Sequence, residues 1–294
     1  MMKRLIVAIV TVIMMLWTAA ALADGAPTVP PDVRGQSAQT ASTEAAATPT
    51  PEVEVIDFIT YPQETPAPTQ RTGRLSGMLI GLDPGHQAHA NRDKEPLSPG
   101  SKELKNKVSS GTQGVKTRIN EYETNLTIAL KLRDRLEAEG ARVVMTRTTH
   151  DVNISNVERA QMMNAAGVDI WLRIHCNGSD NHDVHGMSMY VRDSGPCADE
   201  SYAAGEMLLE EMTATTGAQN RGVHKSDSYT GNNWSEVPCV LVEMGYESNP
   251  DEDVKLNDGA YQDKLIEGYV NALERWNNKY NRPKVSQPEN NGVM

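Results

Sequence analysis

Across residues 77–276, short apolar runs with strand character alternate with longer runs of helical periodicity, and this alternation narrows the choice of fold. The run "GMLIGLD" reads as a strand. "EYETNLTIALKLRDRLEAEG" follows as an amphipathic helix, with Tyr122, Leu126, Ala129, Leu132 and Leu136 at helical spacing and Gly140 as its stop. "ARVVMTR" is the next strand, residues Ser155–Ala166 the next helix, and "VDIWLRIHC" a buried strand. "GMSMYVR" is a strand, Ala198–Thr215 a helix, "PCVLVEMG" a strand and Tyr261–Trp276 a final helix. Such a pattern predicts an α/β domain with a mostly parallel, twisted sheet and helices on both faces. Functional groups in these sheets gather beyond the carboxyl ends of the strands. His86, His175 and Glu243 each fall at or just after such an end.

The flanks read differently. Lys3 and Arg4 precede an apolar run that ends in Ala21-Leu22-Ala23, the layout of a secretory signal peptide over residues 1–23. An uncleaved anchor is the alternative, although the run is short for a membrane span. Residues 24–77 are rich in Ala, Thr and Pro and poor in large apolar side chains, which predicts a largely disordered linker, with a docking strand at Val53–Ile59. The domain is expected over residues 78–280 and a disordered tail over 281–294. A net charge of −11, more negative still without Lys3 and Arg4, argues against nucleic-acid binding and against a charge-held membrane or wall surface. Three cysteines, Cys176, Cys197 and Cys239, are too few and odd in number for a disulfide framework, and buried thiols are expected.

The candidate residues have bland readings beside the functional ones. His86, after Asp-Pro-Gly, serves either a turn or a metal. His175 closes a strongly apolar strand, as a core histidine or as a ligand. Glu243 ends the most hydrophobic strand, where a carboxylate is costly to desolvate without a cation or donor. Asn120 with Glu123 makes a capping-box arrangement, which accounts for Glu123 and leaves Glu121 free to point elsewhere. Asp83 reads as a turn former or as a partner for a neighbouring imidazole. His182 and His185 read as solvated loop residues. Taken together, two histidines, one glutamate ligand and a further glutamate match the needs of a hydrolytic zinc site.

The segments "IGLDPGHQ", "EYETNLTIALKL", "VVMTRTT", "VERAQMMNAAGVDIWLRIHCNG" and "PCVLVEMGYESNPDED" resemble, in this order, those of the zinc-dependent N-acetylmuramoyl-L-alanine amidases of bacterial cell walls, the amidase-3 family. The resemblance spans Leu79 to Tyr269. It implies that His86, Glu121 and His175 hold Zn2+ and that Glu243 is the catalytic acid/base. It also implies hydrolysis, outside the cytoplasm, of the amide between N-acetylmuramic acid and L-alanine in peptidoglycan. Cys176 and the segment Trp171-Leu172-Arg173 depart from the family pattern, which bears on tuning or substrate fit. A related zinc carboxypeptidase acting on stem peptides, or an inactive wall-binding module, are the competing readings. The stretch from His89 to Lys116 is expected to be a long loop, placed to gate the site, with any protein activator unidentified.

Overall fold

The computed structural model describes residues 72–280. The leader, the docking strand at Val53–Ile59, nearly all of the linker and the tail lie outside the described residues.

Eight strands and six helices follow one another as β1 (Leu79–Pro84), β2 (Asn91–Pro96), β3 (Leu104–Val108), α1 (Glu121–Ala138), β4 (Arg142–Met145), α2 (Asn156–Ala166), β5 (Ile170–Asn177), β6 (Met187–Val191), α3 (Ala198–Thr216), β7 (Asn220–Lys225), α4 (Thr230–Trp234), β8 (Cys239–Tyr246), α5 (Pro250–Leu256) and α6 (Gly259–Tyr280). Six strands form one sheet in the order β4-β1-β5-β8-β6-β7. All neighbours run parallel except β6 and β8. The α/β fold expected from the alternation is therefore present.

Strand alternation sorts the two faces. Ile170, Leu172, Ile174 and Cys176 of β5, with Val240, Val242 and Met244 of β8, join the large core built with α1, α3 and α6. Trp171 and Cys239 turn the other way, into a smaller cluster with Ala160 and Met163 of α2. His175 and Glu243 share this second orientation, because each follows the alternation of its strand. Two positions before them, Arg173 and Leu241 stand in register on the same face.

Some elements were not legible in the sequence. β2 and β3 form an antiparallel hairpin inside the stretch read as a loop. β2, "NRDKEP", carries no apolar alternation, so periodicity could not find it. β7, "NRGVHK", is an edge strand whose polar side chains face water. The short α4 and α5 also escaped notice.

The packed region begins before Met78. Leu75, read as the end of the linker, is fully buried in the large core. Arg74 lies 3.2 Å from Glu139 and 3.2 Å from Glu267, tying the entering chain to the end of α1 and to α6. Leu75→Ala is expected to cost about 2–5 kcal/mol, the usual range for a truncated core leucine. Urea unfolding of the variant checks it; a loss within about 0.5 kcal/mol, as for a surface site, would place Leu75 outside the core.

Candidate metal centre

The site starts at the end of β1. Asp83 is fully buried, but it touches no imidazole. It meets Arg159 at 2.6 Å and Arg173 at 3.1 Å and accepts a 2.7 Å hydrogen bond from the Thr146 hydroxyl. Burial alone would raise its pKa, but the Arg159 and Arg173 guanidiniums hold the carboxyl well below the usual range. Both sequence readings of Asp83 thus give way to a third: it is the counter-ion of two buried arginines.

Arg159, together with Arg147, shapes the histidine turn. Arg147 donates from Nε to the Pro84 carbonyl at 2.9 Å and from Nη2 to that of Gly85 at 3.0 Å. Arg159 donates from Nη2 to the His86 carbonyl at 3.0 Å. Three consecutive carbonyls are thereby fixed, and His86 is held at a φ of 61°, a left-handed conformation rare for residues other than glycine. Gly85 is required because a Cβ there would lie 2.1 Å from the His175 ring. Neither Arg147 nor Arg159 was singled out from the sequence, although both lie within the quoted segments.

His86, Glu121 and His175 come together here. Their candidate ligand atoms all lie within 4.8 Å of one another. His86 Nδ1 donates to the Ser109 carbonyl at 2.9 Å, which leaves Nε2 facing the Glu121 carboxylate at 3.2 Å. His175 Nδ1 stands 3.1 Å from the other carboxylate oxygen, while its Nε2 is buried without a partner. Burial presses the His175 pKa down to about 4, so at neutral pH the ring is uncharged and keeps a lone pair for a metal.

Glu121 is the first residue of α1 and is almost fully buried. It accepts from the backbone N–H groups of Thr112 at 2.9 Å and Cys176 at 3.1 Å. Burial opposes its charge, but His86 and His175 outweigh it and hold its pKa well below the ordinary value. Glu123 turns back to accept from the Asn120 backbone at 3.0 Å, so the first helical turn separates its two acids by task. Two neutral or neutralisable imidazoles, an ionised carboxylate and an orphaned ring nitrogen fit a divalent cation with borderline-soft preferences.

Glu243 stands in register with His175 across β5 and β8. Its Oε2 is buried without a hydrogen-bond partner, and burial, then the Glu121 charge, pushes its pKa well up. All four residues line one cleft of about 1190 Å³. Cys176 packs into the large core on the opposite face of β5. His182 lines the same cleft but, like His185, takes no part in the donor cluster.

Glu247 was not anticipated as part of the site. It is fully buried and accepts from the Thr112 hydroxyl at 2.8 Å. Burial, then the charge of Glu121, pushes its pKa up to about 8. Thr112 therefore ties Glu121 to Glu247 through its N–H and its hydroxyl. Farther along, Asp253 accepts from the backbone of Lys116 at 2.7 Å and of Thr117 at 2.8 Å. The stretch read as a gate is thus fastened directly over the donor cluster. Gly111 permits this close passage, since a Cβ there would lie 2.6 Å from Glu121.

Residues 80–275 match the family model described as N-acetylmuramoyl-L-alanine amidase. The amidase LytC of Bacillus subtilis is 28% identical over 203 residues, which is 69% of this chain and 36% of that protein. The probable cell wall amidase LytH of Staphylococcus aureus is 28% identical over 206 residues, 70% of this chain and 60% of that protein. The chain therefore spans from about a third to three fifths of the length of these relatives. Among solved structures, the amidase Ami1 of Mycobacterium smegmatis shares the fold with a TM-score of 0.64 and 22% identity, covering 70% of this chain and 99% of that one.

The buried acids make the metal-free protein sensitive to pH. Between about pH 6.5, where unfolded histidine titrates, and about pH 8, the fold retains a proton on Glu247 that the unfolded chain has released. Stability should therefore fall as pH rises through this window. His175, held down at about 4, acts only at lower pH, where stability falls as pH drops. Urea unfolding at the two ends of the upper window checks the slope. Glu247→Gln is expected to flatten it, and an unaltered slope would contradict the assignment.

Proposed function

The chain belongs to the N-acetylmuramoyl-L-alanine amidase family, and from that premise we propose that it hydrolyses the amide joining N-acetylmuramic acid to L-alanine in peptidoglycan, freeing stem peptides from glycan strands. The observation that carries this reading is the meeting of His86, Glu121 and His175 within 4.8 Å, in one cleft with the unpartnered carboxyl of Glu243. His86, Glu121 and His175 would hold zinc. When bound, zinc supplies Lewis acidity for the amide carbonyl and for the attacking water.

The residues of the chain do the rest. The Asp83–Arg159 pair and Arg147 keep the His86 turn in place, so the imidazole needs no reorganisation to bind. The hydrogen bond to Ser109 sets which nitrogen of His86 faces the centre. Glu243 takes the proton of the attacking water and returns it to the departing alanine nitrogen. A burial-raised pKa suits it to both halves of that transfer. The names of the relatives, which include cell wall amidases, support action at the cell envelope, as does the leader-like segment 1–23.

Glu243→Gln should retain zinc and lose about 10²–10⁴-fold in turnover, the scale of general acid–base catalysis. His175→Ala should lose both metal and turnover. Mass spectrometry of digested peptidoglycan checks the bond cleaved, with intact stem peptides and bare glycan as products. Release of single terminal amino acids instead would identify a carboxypeptidase, and wall hydrolysis retained in Glu243→Gln would remove that residue from its role.

A further inference from the structure

The lining of the cleft includes three cations, Lys94, Lys105 and Arg173. Arg173 lies on the same face of β5 as His175, with its guanidinium in the wall. Its Nε faces Asp83 at 3.1 Å, Nη1 donates to Asn232 at 3.1 Å and Nη2 to Asn156 at 2.9 Å. Asn156 in turn donates to the Lys107 carbonyl of β3 at 2.6 Å, which joins the guanidinium to the β2–β3 hairpin. On the hairpin, Lys105 Nζ donates to the Ser228 carbonyl at 2.9 Å and Lys94 Nζ to the Asn106 amide oxygen at 2.7 Å. Both lysines line the same cleft as the donor cluster.

The hydrogen-bond partners of these cations are mostly neutral, although Glu95 stands opposite Lys105 in the hairpin ladder. Asp83 is one carboxylate facing the two guanidiniums of Arg159 and Arg173. The partners of Lys94 and Lys105 are a neutral amide and a carbonyl, and among the described residues neither lysine has a carboxylate within 4.0 Å. In a chain of net charge −11, such a wall suits an anionic part of the ligand. Of the two parts of the proposed substrate, the peptide supplies carboxylates. The carboxyl group of the residue after L-alanine lies about one to two residue lengths, roughly 3.5–7 Å, from the scissile amide. A cleft of about 1190 Å³ accommodates both at once.

Resting on the amidase reading above, we propose that Lys94, Lys105 and Arg173 form a carboxylate-binding subsite that selects stem peptides whose residue after L-alanine carries a free α-carboxyl group over those in which it is amidated. The lysines contribute by charge, and Arg173 does so from a position locked by Asp83. The hairpin, by presenting both lysines, is the specificity element of the cleft.

The test compares two muramoyl peptides that differ only in whether that carboxyl is free or amidated, together with the two peptides released from them. Binding of the released peptides by calorimetry is expected to be about ten-fold tighter for the free acid, the scale of one charge-assisted hydrogen bond. The zinc-loaded protein should show a similar preference in kcat/KM, carried by KM. In the double variant Lys94→Gln, Lys105→Gln, which keeps donors but removes charge, the preference should shrink in both readouts to what Arg173 alone supports. Arg173 is left in place because it is buried and ion-paired. Equal binding of the two peptides by the wild type, or a preference undiminished by the double substitution, would overturn the subsite. Selective binding without cleavage of either substrate would instead count against the amidase reading and leave the subsite standing.

Discussion

The architecture of the site depends on one buried carboxylate. Asp83, at the end of β1, binds Arg159 from α2, Arg173 from β5 and the Thr146 hydroxyl just beyond β4. Three neighbouring segments of the sheet and one helix are thereby joined at the edge where the functional side chains emerge. Removing one partner from such a buried group costs about 3–5 kcal/mol, because the remaining charges are left uncompensated. Arg159 in turn donates to backbone carbonyls, joined there by Arg147, and the carbonyls belong to the turn that presents His86 in a left-handed conformation. Position at the centre is therefore inherited from a charge cluster that never touches it.

Around the centre itself, charge is arranged in opposition. Glu121, Glu243 and Glu247 are three buried carboxyls close enough to perturb one another, and the adjoining His175 is held neutral. Burial and this repulsion push the pKa values of Glu243 and Glu247 up. Arg173, Lys94 and Lys105 line the same cleft with the opposite sign. One cleft thus offers an acidic corner that suits a metal and a basic flank that suits the acidic end of a peptide. Thr112 and Asp253 fasten the intervening segment, so the two regions keep a fixed relation.

Much of this was legible in the sequence, for identifiable reasons. β5 and β8 announced themselves because strands buried on both faces must be continuously apolar. His175 and Glu243 stand out as polar residues ending such strands, and helix capping sets Glu121 apart from Glu123. The arginine cluster was hidden because its contacts to Asp83 and the His86 turn join residues 62 to 90 positions apart and leave no local period. The hairpin was hidden because its exposed, charged strands lack alternation. Leu75 was hidden by the proline- and threonine-rich company it keeps in sequence, and Glu247 by lying beside a more conspicuous glutamate.

Metal analysis combined with X-ray absorption spectroscopy of the zinc-loaded protein addresses the centre most directly. One zinc per chain, coordinated by two imidazole nitrogens and a carboxylate oxygen, should be found. Substitution of Glu121 by Gln should release it, and the same change at Glu123 should not. Zinc bound through sulfur, or retained when Glu121 is neutralised, would mean that the cluster of His86, Glu121 and His175 is not where the metal sits.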